Sequence, residues 1–126
     1  MSFLAITNNM AFKDRYEDEF DIIFTDSSLR DILILVRNKV HEGYEILTHP
    51  LSGSVKPGET PYKTIFITKK KGMLSIDSLA LIESAIETCD KFADRKIEYE
   101  KKTEDFQLID LSLAESALVS LRIFHV

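Results

Sequence analysis

The chain has 126 residues, 44% hydrophobic and 29% charged, and its 21 acidic against 16 basic side chains leave a formal charge of −5 and a pI near 5.2. That length suits one domain with a real core, and the acidic balance argues against nucleic acid or an anionic membrane as partner, both of which need a basic footprint. The lone cysteine, Cys89, excludes an intrachain disulfide, and no signal-peptide pattern or spanning apolar run is present, so a cytoplasmic protein is expected.

"FLAI" (3–6) is a short apolar run that stops at the turn-forming "TNN", and it reads as a buried first strand. Residues 10–18 are mixed and leave room for a short helix. "FDIIFT" (20–25) is a second strand candidate. The stretch from 28 to 43 is the clearest helix. Ser28 with Asp31 has cap spacing, Leu29, Ile32, Leu33, Val36 and Val40 recur on one face, and Gly43 is a natural stop. Ile34 and Leu35 widen that face and leave room for a homodimer. "YEILT" (44–48) and "YKTIFIT" (62–68) read as strands that form an antiparallel pair. A second helix is expected over 76–96, with Leu79, Ile82, Ile86 and Cys89 along one side. A densely charged stretch follows, then a strand "FQLIDL" (106–111) and a last helix from Ser112, capped by Ser112 and Glu115. The expected fold class is therefore α/β: a single domain over 1–126 whose mixed, partly parallel sheet has about five strands flanked by about three helices.

One connection stands out. "THPLSGSVKPGETPY" (48–62) holds all three prolines and two of the four glycines. Structureless loops of about this length are uncommon unless they are functional or disordered, and prolines, which reduce the entropy lost on ordering a segment, argue for a defined shape. In α/β sheets ligands gather where loops leave the carboxyl ends of parallel strands. Thr7, Asn8 and Asn9 leave the first strand, and Thr48 and His49 begin the proline loop. With Ser52, Gly53, Ser54 and Lys56 they are the candidate ligand-binding residues. Hydroxyls, backbone N–H groups and the lysine charge would suit a small anion.

Other chemistry finds little support. His49 could shuttle protons beside Ser52 or Ser54, with Asp26 or Asp110 as a partner, but no G-x-S-x-G elbow exists. A histidine bonded within the loop it begins is the simpler reading. "SGSVKPGET" lacks the order of a phosphate-binding P-loop. His41, His49 and His125 are scattered, so neither a metal site nor a cofactor is expected. Cys89 reads as core packing. The catalytic residues, if any, are unassigned, and an enzyme is the less favoured reading.

"LTHPLSGSVKPGETPYKTI" (47–65), together with "ITNN" (6–9), resembles the GrdX family, small proteins encoded in the glycine reductase gene clusters of amino-acid-fermenting anaerobes. The resemblance is strongest over the first half of the chain. It departs from the family pattern at Met10, where proline is frequent, and at Gly58, where asparagine is. It implies an accessory or regulatory protein of the glycine, sarcosine and betaine reductase system, with reductase components as partners and the Thr48–Tyr62 loop as contact surface. It carries no catalytic residue over. The alternative is a small-ligand or anion-binding domain, or a small enzyme, with its pocket between the Asn8–Asn9 and His49–Lys56 loops.

Overall fold

The computed structural model describes residues 2–51, 61–92 and 104–124. Along these residues run β1 (Phe3–Thr7), α1 (Met10–Tyr16), β2 (Ile22–Phe24), α2 (Leu29–His41), β3 (Thr64–Thr68), α3 (Ile76–Phe92) and α4 (Glu104–Phe124). The three strands form one mixed sheet in the order β2-β1-β3, β1 pairing parallel with β2 and antiparallel with β3.

Strand alternation sorts the core into two layers. Phe3, Ala5 and Phe66 face one side, where they meet Phe12, Tyr16 and Phe20 together with Leu111, Ala114, Leu118 and Leu121 of α4. Ile6, Ile65 and Ile67 face the other, against Ile32, Leu33, Val36 and Val40 of α2 and Ile82, Ala85 and Ile86 of α3. Each large side chain withdrawn from water contributes about 1.5–3 kcal/mol before its entropy is counted. Because both faces of the sheet are covered, β1 and β3 read as continuous apolar runs.

Local chemistry sets the helix ends. Asn9 caps α1, its side chain accepting from Ala11 N, and the Ser28 hydroxyl caps α2 by accepting from Asp31 N at 3.1 Å. After α2 the backbone turns at Gly43, with φ +107°. There Tyr44 N donates to Lys39 O, and Gly43 O accepts from Gly72 N at 2.8 Å. A Cβ on Gly43 would collide with the Gly72 carbonyl oxygen. Glycine is required there twice over, by its dihedral and by this close approach.

The expected sheet of about five strands with about three helices is overturned: the described residues form three strands and four helices. Residues 106–111 are helical, the first turns of α4, and α4 passes straight through the presumed cap at Ser112 and Glu115. The reason is periodicity. Leu111, Ala114, Leu118 and Leu121 are buried at helical spacing, whereas Leu108 and Ile109 point outward. Two apolar residues in "FQLIDL" are thus surface positions of a helix and not the inner face of a strand.

The segment 44–48 falls short of a strand for a different reason. It lies antiparallel to β3, with one bridge between Ile46 and Ile67. Leu47 N donates to Phe66 O and Thr68 N to Glu45 O. The next rungs are taken by side chains: Phe66 N donates to the Thr48 hydroxyl, Glu45 N to the Thr68 hydroxyl and Ile46 N to the Ser78 hydroxyl. Side-chain acceptors replace the ladder and stop it. Residues 10–16, left open by the sequence, form α1, and Phe20 precedes β2 and packs into the aromatic layer.

Candidate functional site

The apolar layer beneath α4 gives way to polar residues at the carboxyl end of β1. Thr7 and Thr64 are register partners across β1 and β3, and Asp110 of α4 sits over them. All three are buried, as are Asn8 and Asn9. Buried polar groups need partners, and here the bonds form a directed chain. Asn9 N donates to the Thr7 hydroxyl at 3.0 Å. Thr7 and Thr64 hydroxyls are 2.8 Å apart, and Thr64 Oγ1 donates to Asp110 Oδ2 at 2.8 Å. Since Thr64 gives its proton to the carboxylate, Thr7 must be the donor between the two hydroxyls. Such chains strengthen each member by polarisation.

Asp110 accepts two more bonds, from Asn9 Nδ2 at 2.9 Å and from Thr64 N at 3.1 Å. Burial pushes its carboxyl above the usual range, while the bonds from Asn9 and Thr64 and the charge of Lys63 pull it back. Lys63 is its counterpart: burial pushes the ammonium below the ordinary lysine range, and the Asp110 charge opposes that shift.

Asn8 does a separate job. Its Nδ2 donates to Ser27 O at 2.9 Å and to Pro61 O at 2.8 Å, and its Oδ1 accepts from Lys63 N at 2.8 Å. One side chain thereby ties the connection before α2 to the residues leaving the proline loop. At the start of that loop, Thr48 accepts from Phe66 N and His49 Nδ1 accepts from Leu51 N at 3.1 Å. The histidine is bonded within the loop it begins, as the sequence suggests.

Beside the chain of hydroxyls opens a cleft of about 310 Å³. Thr48, His49, Lys63 and Thr64 form one wall. The other is α4, where Asp110 is followed by Leu113, Ser116, Ala117 and Ser120.

Of the residues picked from the sequence, Thr48 and His49 line this cleft, and Thr7, Asn8 and Asn9 are buried behind it in the hydrogen-bond chain and the Asn8 clasp. Ser52, Gly53, Ser54 and Lys56 lie outside the described residues. Sequence reasoning did not single out Lys63, Thr64, Ser116 or Ser120, and named Asp110 only as a partner for a nucleophile. A signal for two of them existed: Thr64 falls on the same strand face as Phe66, and Asp110 adjoins the apolar stripe of its helix. Among the described residues no three His, Cys, Asp or Glu side chains gather as a metal ion would require. Cys89 is half-buried against the aliphatic layer, and burial raises its thiol above the ordinary value, with Asp90 adding to the effect. No helix among the described residues is long and apolar enough to cross a membrane.

A β-α-β crossover with its first loop turned inward, a third strand antiparallel to it and helices on both faces define a small α/β protein with a polar cleft at one end of its sheet. The family model described as GrdX-like protein matches residues 4–119, and the chain belongs to that family. The match runs well past the first half of the chain, through most of α4. No curated protein and no solved structure matches at a significant level.

Proposed function

We propose that this protein is an accessory component of the glycine, sarcosine and betaine reductase system and meets a reductase component through the Thr48–Tyr62 loop. The family name points to the glycine reductase gene clusters. The observation that carries the reading is the anchoring of both feet of the loop. At its exit, buried Asn8 grips Pro61 and Lys63 with two bonds of 2.8 Å. At its start, the hydroxyl of Thr48 is bound to the backbone of β3, and His49 closes a turn onto Leu51. A loop held at both feet leaves the fold at a defined place, so docking does not carry the full entropy cost of a free segment.

The test is a pull-down with the full chain, tagged, against purified reductase components. Wild type should retain one of them. A variant with residues 52–60 replaced by glycine and serine should lose it, and Asn8→Ala should weaken retention by loosening the exit. Equal capture by all three proteins, or none by wild type, removes the proposal.

A further inference from the structure

The cleft between β3 and α4 has a polar makeup that selects for charge. Its one carboxylate in the described lining, Asp110, is only 2% exposed and already accepts from Asn9 Nδ2, Thr64 Oγ1 and Thr64 N. Those donors and the neighbouring Lys63 offset its charge and leave little room for a cation. Other polar groups of the described lining are able to donate. Lys63 brings an ammonium. Thr48 accepts from Phe66 N, which leaves its own O–H to donate. Ser116 and Ser120, one turn apart, present two more hydroxyls from α4. Between them Leu113 and Ala117 give an apolar floor.

We propose that this cleft binds a small organic oxyanion, its head on Lys63 and the hydroxyls of Thr48, Ser116 and Ser120, and its short apolar body on Leu113 and Ala117. A volume near 310 Å³ sits at the small end of ligand sites and suits a metabolite better than a nucleotide. A partly desolvated ammonium gives a strong contact to such a head, because its charge is weakly screened there. The hydrogen-bond chain behind the cleft keeps the Asp110 oxygens engaged with Asn9 and Thr64, so they are not offered to the ligand. This inference does not depend on the partner reading, which is tested by capture and not by titration.

Isothermal titration of the full chain tests it with four probes: acetate, butyrate, inorganic phosphate and tetramethylammonium. The carboxylates should bind saturably, butyrate more tightly than acetate because its chain reaches the apolar floor, and the cation should not bind. Phosphate binding as tight as butyrate would show that the head alone is read and would overturn the apolar part of the proposal. Lys63→Met should weaken butyrate at least ~tenfold, the scale of one charge-assisted contact. Ser116→Leu fills the cleft from an exposed helix position that the fold does not need, and it should abolish binding with the circular dichroism unchanged. Undiminished binding by Ser116→Leu, binding of the cation, or no saturable carboxylate binding would each overturn the assignment.

Discussion

The two faces of the sheet differ in kind. One is aliphatic, a continuous layer of Ile, Leu and Val beneath α2 and α3. The other is aromatic, where Phe3, Phe12, Tyr16, Phe20 and Phe66 meet with ring centroids 5.0–6.2 Å apart. The aromatic face ends in buried Thr7, Thr64 and Asp110 and borders the cleft beside α4. The aliphatic face has one task, to exclude water. The aromatic face has two, because the residues that join α4 to the sheet also shape the cleft wall. Rings suit this second role, since their edge-to-face contacts hold a layer in one arrangement.

The largest expected effects are core truncations, and they test whether the faces are independent. Phe66→Ala should cost about 3–5 kcal/mol and Leu33→Ala about 2–5 kcal/mol in urea unfolding. The two side chains belong to different clusters, so the double variant should equal the sum within about 0.5 kcal/mol. Strong coupling would break the comparison.

Caps sharpen it next. Asn9 caps α1 and also bonds Asp110 and Gln107 O, whereas Ser28 caps α2 with the one side-chain bond to Asp31 N. Asn9→Ala should therefore lower stability by about 2–3 kcal/mol, the cap plus stranded buried partners. Ser28→Ala should lower it by about 1 kcal/mol. Equal losses would mean that the polar end of the aromatic face adds nothing to the cap.

Asp110→Asn separates the charge of the chain from its shape. The amide cannot accept all three donors, so a loss of about 1–3 kcal/mol is expected at neutral pH. The pH dependence has a definite sign. A carboxyl whose folded pKa is raised binds its proton more tightly folded than unfolded, so its contribution is most favourable below the unfolded pKa and declines as pH rises through the folded one. Wild type should show that decline as pH rises above the usual carboxylate range, and Asp110→Asn should lack it. A difference curve that rises with pH in that window would mean that the bonds from Asn9 and Thr64 outweigh burial.

The aliphatic face was the more legible in the sequence. The cap at Ser28, the stripe from Leu29 to Val40 and the stop at Gly43 are local signals, and each matches α2 and its ending. The C-terminal part of the aromatic face was obscured by outward-pointing Leu108 and Ile109, which made the first turns of α4 resemble a strand. Ser112 and Glu115 imitated a cap, while Glu115 in fact accepts a hydrogen bond from the Tyr16 hydroxyl. The polar "TNN" was visible as a turn and as a candidate ligand-binding segment. Its meaning was not, because Asn9 and its partner Asp110 are 101 positions apart and no local pattern reports such a contact.

That separation bears on synthesis. The aromatic layer needs α1 near the amino end and Leu118 and Leu121 near the other, so a nascent chain on the ribosome cannot complete it until nearly all of α4 has left the exit tunnel. Until then Phe12 and Phe20 have no helix to shield them. The aliphatic half can form earlier, from residues made before position 93, and would serve as the platform on which the last helix docks.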